Sequence, residues 1–402
     1  MFNSLRHLGI KSESGIFTIL LIITVLLLTA MPLTVNAEPS AEEYNNHGID
    51  WGAEKNFEQA ISEFTKAITI NPRFEYAYNN RAMAYCMLKK FDLAFSDFDK
   101  AIEVNPKFGF AYYCRGHAYY TQGQYQKAIA DINKAIENKY QRIDVYETRA
   151  LVYLELKRYP EAIADFNKVL IVDPRNAFLH YGRSAAYSKL EQFRQAIEDL
   201  NMVISINPQA GDAYNYRGLI YSQLQQYNQA IDDYDKAIEI DPHQRSTYMN
   251  RGFAYYKLNK YVQALADFDK AINSSLSTPY TYFLRGNTYL WLKQYDKAIA
   301  DYNKALTLDQ QNAYTYISYR GIAYMGLGKF KKSIADFDKV IAINPHFTDV
   351  YYTKGVALMN LYRTQEAIAA FRQYIRLGTD QTYIDNAKNF IIQLGGHPQS
   401  EI

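Results

Sequence analysis

Residues 75–108 read EYAYNNRAMAYCMLKKFDLAFSDFDKAIEVNPKF, and residues 211–244 read GDAYNYRGLIYSQLQQYNQAIDDYDKAIEIDPHQ. The two stretches align without a gap. Tyr78 falls on Tyr214, Arg81 on Arg217, Tyr85 on Tyr221, Ala94 on Ala230, Asp97 on Asp233, and Asn-Pro on Asp-Pro. The same phrase recurs along the chain, in units starting at Ala41, Glu75, Gly109, Ile143, Ala177, Gly211, Arg245, Pro279, Tyr314 and Thr348. Each step is 34 residues except the eighth, which is 35 and places one inserted residue between Leu308 and Ile317. A period of this length is the mark of stacked supersecondary units rather than of two or three ordinary domains.

Inside a unit the apolar spacing is helical. Tyr78, Ala82 and Tyr85 follow one another at four and three residues, and Phe91, Ala94, Phe98 and Ala101 do so again after Lys89-Lys90. Such spacing puts side chains on one helix face, so each unit is predicted to hold two helices of about 13 residues. Pro72, Pro106, Pro174, Pro208, Pro242 and Pro345 share the slot that stops the second helix. Tyr140, Leu276 and Gln310 replace it, and there the second helix is expected to run on. Gly116, Gly218, Gly252, Gly286, Gly321 and Gly355 share a first-helix slot, expected to face the small second-helix slot of Ala94, Ala128 and Ala264. A tyrosine slot (Tyr85, Tyr119, Tyr153 and their equivalents) helps to explain 38 tyrosines and is expected to fill the gaps between units.

These motifs resemble the tetratricopeptide repeat family over residues 41–380. The resemblance implies an all-α, right-handed superhelical solenoid of about ten helix–turn–helix repeats. First helices would line a concave groove, and the role would be binding other proteins or peptides. Residues 381–396 are expected to form a C-terminal capping helix, with an apolar stripe of Ile384, Ala387, Phe390, Ile391 and Leu394, before a flexible tail over 397–402.

The repeats also align charges. One first-helix slot holds Arg81, Arg115, Arg149, Arg183, Arg217, Arg251, Arg285 and Arg320. One second-helix slot holds Asp97, Asp131, Asp165, Asp199, Asp233, Asp267, Asp301 and Asp336. The end units carry His47 with Glu63, and Lys354 with Ala370, so the charges are kept or lost together. A guanidinium fork suits a carboxylate, and a structural ion-pair ladder within or between repeats is the expected reading.

First-helix residues outside the packing slots are the candidates for partner binding: Tyr76, Met83, Phe110, Tyr113, Tyr120, Phe178, Tyr181, Phe253, Tyr256, Tyr280, Phe283 and Trp291. Rigid aromatics beside adaptable methionines suit a peptide surface. Asp144, Glu147, Glu155 and Asp212 lie between the two aromatic stretches. Family members that bind acidic chain termini do so through a row of Lys and Asn. The matching slots here hold Asn45, Asn79, Tyr113 and Glu147, which points instead to an apolar or basic extended segment.

The rest of the sequence narrows the function class. With 44 basic against 42 acidic residues, the net charge of +2 gives no nucleic-acid footprint. No motif for metal binding, a phosphate loop or a nucleophile is present, so no enzyme and no cofactor are expected. Cys86 and Cys114 are offset by six residues in slot, beyond disulfide reach. Arg6 and Lys11 precede an apolar run from Ile16 to Met31, then Pro32 and Val35-Asn36-Ala37. This reads as a signal peptide over 1–37, with an uncleaved membrane anchor as the alternative, followed by a linker over 38–40. The expected protein is an exported scaffold or adaptor of the periplasm or cell envelope, touching a membrane only through an uncleaved N-terminal segment. Two alternatives are a membrane-anchored assembly factor and a carrier of a lipid or glycan in an apolar groove.

Overall fold

The computed structural model describes residues 39–272 and 278–398. The expected leader over 1–37, the slot residue Leu276 and residues 399–402 of the expected tail lie outside them. The described residues form 21 α-helices and no strand, in two compact units with the boundary after Arg217. Unit 1 comprises α1 (Ala41–Ala53), α2 (Phe57–Ile70), α3 (Glu75–Met87), α4 (Phe91–Val104), α5 (Gly109–Thr121), α6 (Tyr125–Glu137), α7 (Ile143–Glu155), α8 (Tyr159–Val172), α9 (Ala177–Lys189) and α10 (Phe193–Ile206). The boundary falls within α11 (Gly211–Gln223). Unit 2 continues with α12 (Tyr227–Ile240), α13 (Arg245–Lys257), α14 (Tyr261–Ile272), α15 (Pro279–Trp291), α16 (Tyr295–Leu308), α17 (Ala313–Gly326), α18 (Phe330–Ile343), α19 (Asp349–Met359), α20 (Thr364–Leu377) and α21 (Gln381–Gln393). Consecutive helices pack on one another from α1 to α10 in unit 1 and from α12 to α21 in unit 2, the arrangement of a helical solenoid.

The turn inside each repeat rests on one left-handed residue. Lys55, Lys89, Lys157, Glu191, Gln225, Asn259, Lys293 and Tyr362 occupy it with φ between 57° and 61°, and Gly123 and Gly328 with 70° and 69°. After α3 the amide of Lys90 donates to Tyr85 O at 2.9 Å and that of Lys89 to Cys86 O, so carbonyls at the helix end find partners.

The deepest core is a second-helix slot. Phe64, Phe98, Ile132, Phe166, Leu200, Tyr234, Phe268, Tyr302, Phe337 and Phe371 are all almost fully buried. The tyrosine slot is shallower: Tyr119 stacks on Phe95 of the preceding repeat at 4.4 Å between centroids, while Trp51 is exposed. The glycine slot faces both the core slot and the backbone of the alanine slot: a Cβ on Gly116 would lie 2.9 Å from Ile132 Cγ1 and 3.2 Å from Ala128 O. A Cβ on Gly252 would lie 2.9 Å from Phe268 Cε1, and one on Gly286 2.8 Å from Tyr302 Cε1. The expected close approach of the glycine and alanine slots is present at Gly116 and Gly252, and glycine also makes room for the core side chain.

Proline is not what fixes the end of the second helix. Residues before the prolines, such as Asn71 and Asn105, are extended, as a following proline demands. Yet α16 also stops at Leu308, where Gln310 replaces proline, and α6 stops earlier, at Glu137. At Tyr140 and Gln310 the expected extensions do not occur. Asp309 is extended without a proline, and its carboxylate accepts from the amides of Gln311 and Asn312, supplying the turn locally. The inserted residue is absorbed where α17 begins, which gives that helix 14 residues instead of 13. At the end of unit 2, α21 buries Ala387 and Ile391, and Phe390 stacks on Phe371 at 5.3 Å. It thereby covers the last repeat, and Gly395 at φ +76° ends it.

Candidate partner-binding face and its ion-pair frame

Seven of the ladder arginines enter from a first helix and meet the second helix of their own repeat. Seven pairs lie within one unit: Arg81–Asp97, Arg115–Asp131, Arg149–Asp165, Arg183–Asp199, Arg251–Asp267, Arg285–Asp301 and Arg320–Asp336. In all seven, Nε and Nη2 donate to the two carboxylate oxygens, at 2.6–2.9 Å. The aspartates are buried.

The spacing of Arg and Asp left a third contact unread. Nη1 of each arginine reaches back to the preceding repeat, where it meets Thr65, Asp99, Asn133, Asn167, Asn201, Asp235, Asp269 or Asn303 in turn. The guanidinium therefore joins two repeats, and the acceptor slot lies two residues after the aspartate slot. Lys354, whose repeat carries Ala370 for the aspartate, keeps only this backward contact, with Asp338 at 2.6 Å. Tyr78, Tyr112, Tyr248 and Tyr282 add a ring face near the guanidinium. Burial opposes the charge on Arg251 and Arg285, and their two carboxylate partners outweigh it, so both hold their protons more firmly than a free arginine. These groups are committed to each other and leave no row of arginines for an anionic ligand.

Two grooves open on the first-helix faces. The one in unit 1 has a volume of about 570 Å³ and is lined by Ile49, Tyr76, Met83, Phe108, Phe110 and Tyr140, among others. The one in unit 2, about 420 Å³, is lined by Leu219, Tyr234, Met249, Phe253, Tyr280 and Leu284, among others. Of the candidates, Tyr76, Met83 and Phe110 thus meet in the first groove, and Phe253 and Tyr280 in the second. Tyr76 and Tyr280 are each 49% exposed.

Other candidates sit differently. Tyr113, Tyr120 and Tyr181 are buried, so they form floor rather than contact surface. Tyr113 Oη lies 3.3 Å from Thr148 Oγ1 of the next repeat, and Tyr181 packs on Tyr216. Phe178 is partly buried against the core, and Phe283 is wedged among Tyr302, Tyr316 and Tyr319. The reason is common to all: solenoid repeats lean on one another through the same helix face that lines the groove. Trp291 remains 62% exposed. Its Nε1 donates to Tyr256 Oη at 3.0 Å and its ring stacks on Tyr261, so Tyr256 and Tyr261 hold it open to solvent. Reading first helices alone missed Phe108 and Tyr140, which enter the unit 1 groove from inter-repeat loops.

Cys86 and Cys114 are free thiols, Cys114 with its Sγ 3.7 Å from Met83 Sδ. Burial pushes both thiols up, Cys86 to about 12, which leaves them apolar fillers.

Family profiles described as tetratricopeptide repeat match residues 75–108, 110–139, 143–176, 211–244, 246–273, 279–312 and 320–382, more than half of the chain. No curated protein matches. Among solved structures, the C-terminal part of a TPR repeat-containing protein from Cytophaga hutchinsonii is similar at 22% identity and a TM-score of 0.50. That likeness covers 59% of this chain and 97% of that one. YrrB, described as a TPR protein with an unusual peptide-binding site, is 21% identical with a TM-score of 0.43, over 48% of this chain and 99% of that one. The repeat period, the helix pairs and the matched residues agree: the chain belongs to the tetratricopeptide repeat family.

Proposed function

We propose that this protein is a non-catalytic scaffold of the cell envelope that holds an extended protein or peptide segment on its first-helix faces. The family supports protein–protein interaction in general. The observation that carries the finer reading is the pair of aromatic grooves. Both offer half-exposed tyrosines beside methionine and phenylalanine on rigid helices, a surface with much apolar area and little ordering cost. The ladder arginines and aspartates are engaged in holding repeats together, which supports a scaffold rather than a catalyst. Export rests on the apolar run Ile16–Met31 and the Val35-Asn36-Ala37 site. The same run supports a second reading in which the segment stays on as a membrane anchor, and the N-terminal sequence of the native protein separates the two.

Affinity capture from envelope extract tests the function, using the intact chain beside a Trp291→Ala, Tyr280→Ala variant. Phe283 is left in place because its truncation would unsettle the repeat. A protein captured by the parent and lost with the variant supports binding at the unit 2 groove. An unchanged set of captured proteins counts against that groove.

A further inference from the structure

Beside the unit 1 groove runs an unbroken path of rings. Centroids are 4.6 Å apart from Tyr76 to Phe108, 6.0 Å to Phe110, 5.3 Å to Tyr140, 5.6 Å to Tyr113, 6.3 Å to His117, 6.3 Å to Tyr120 and 6.1 Å to Tyr125. Helix α7 sets Asp144, Glu147 and Glu155 on one face, and that face borders the path. Burial first, and then these carboxylates, push the phenols up: Asp144 acts on Tyr113 and Tyr140, Glu147 and Glu155 on Tyr120, and Glu155 on Tyr125.

The charges are unevenly answered. Asp144 has Arg142, with Nε at 3.6 Å, and Lys139 and Arg142 stand at the groove end nearest α7. Glu147 and Glu155 are only partly exposed, yet among the described residues neither carboxylate has an ion pair or a side-chain hydrogen bond. Burial, then the neighbouring Asp144 and Asp173, raise the Glu147 carboxyl above its ordinary value, as happens to a carboxylate lacking a cation.

We propose that unit 1 binds an extended basic–apolar segment: a bulky apolar side chain seats among Tyr76, Met83 and Phe110, and a neighbouring Lys or Arg lies along the partly exposed Tyr140, His117 and Tyr125 toward Glu147 and Glu155. This rests on the proposed peptide-binding function and names its partner chemistry. Ring faces attract a cation, and the two unanswered carboxylates complete its surroundings. An acidic segment could meet Lys139 and Arg142 but would be opposed by Glu147 and Glu155 beyond them.

Fluorescence anisotropy tests the inference with the full chain and two labelled peptides, Gly-Lys-Leu-Lys-Phe-Lys-Gly and its counterpart with Glu for each Lys. The Lys peptide is expected to bind about tenfold or more tighter, a difference of about 1.4 kcal/mol. The Glu147→Gln, Glu155→Gln variant should lose that preference with an unchanged circular dichroism spectrum, and Tyr76→Ala should weaken the Lys peptide. Equal binding of both peptides, or a preference that survives the double variant, overturns the basic partner while leaving the peptide groove standing. Binding of neither peptide overturns both.

Discussion

Arg149 grips Asp165 with two parallel hydrogen bonds, Nε to Oδ2 at 2.6 Å and Nη2 to Oδ1 at 2.9 Å, while its remaining arm donates to Asn133 of the preceding repeat at 3.0 Å. Asp165 is almost wholly buried, its side chain 2% exposed. Replacing it with Ala strands a guanidinium that is itself mostly buried, and such losses cost about 3–5 kcal/mol. Urea denaturation of Asp165→Ala should show that loss, and Asp165→Asn should recover only part, since the amide accepts at one atom alone. Arg149→Lys in the otherwise unchanged chain should also destabilise, because an ammonium cannot serve three acceptors in one plane. A midpoint equal to the parent's would show that the ladder does not hold the repeats.

A second prediction concerns the glycine slot. Gly252→Ala brings a Cβ to 2.9 Å from the Phe268 ring, and overpacking of this kind costs about 1–3 kcal/mol. Calorimetry should show a lower melting temperature, with Phe268→Leu in the same chain returning part of it. The slot holds Ala82 and Ala150 beside Phe98 and Phe166 in other repeats, so the cost is one of ring placement. No change in melting would mean that the ring moves freely.

The turn residue offers a gain instead of a loss. Tyr362 takes φ +57° with its side chain 92% exposed, so it has little packing to lose. Tyr362→Gly removes left-handed strain and should stabilise by about 0.5–1 kcal/mol, a lower figure than the full strain because glycine adds freedom to the unfolded chain. Thermal melts at matched concentration decide this, and a lower melting temperature would contradict it.

Glu147 gives a pH dependence whose sign follows from its raised value. A carboxyl held above the usual 4.5 in the folded protein binds more protons folded than unfolded near that value. Stability from this group is therefore present at low pH and lost as pH rises through the folded value. Glu147→Gln removes the titration, so it should raise the melting temperature at pH 7 by about 1–3 °C and leave it nearly unchanged at pH 4. The opposite order, a variant less stable at pH 7 than the parent, would reveal a cation paired with Glu147.

The fold was legible because ten copies of one phrase act as their own alignment. Helix pairing follows from the spacing of Tyr78, Ala82 and Tyr85 and of Phe91, Ala94 and Phe98. The left-handed turn residue was hidden, since Lys, Glu, Gln, Asn and Tyr hold it in eight repeats and Gly in only two. The arginine and aspartate slots could be read from the period. The third arm could not, because its acceptors vary among Thr, Asp and Asn and lie in a neighbouring repeat. The candidate face was read only in part. Tyr76 and Tyr113 both project from first helices, but the repeat that follows covers Tyr113, and no local pattern tells the two apart.

The most direct test of the account is photo-crosslinking in native envelope extract, with a photoreactive phenylalanine placed singly at Tyr76, Tyr280, Ile171 or Val262. The first two line the grooves, and the last two are exposed on second helices, at 82% and 72%. Crosslinks to a protein partner from Tyr76 or Tyr280, and none from Ile171 or Val262, are the predicted result. Crosslinks from Ile171 or Val262 alone would place the partner on the other face and contradict the account.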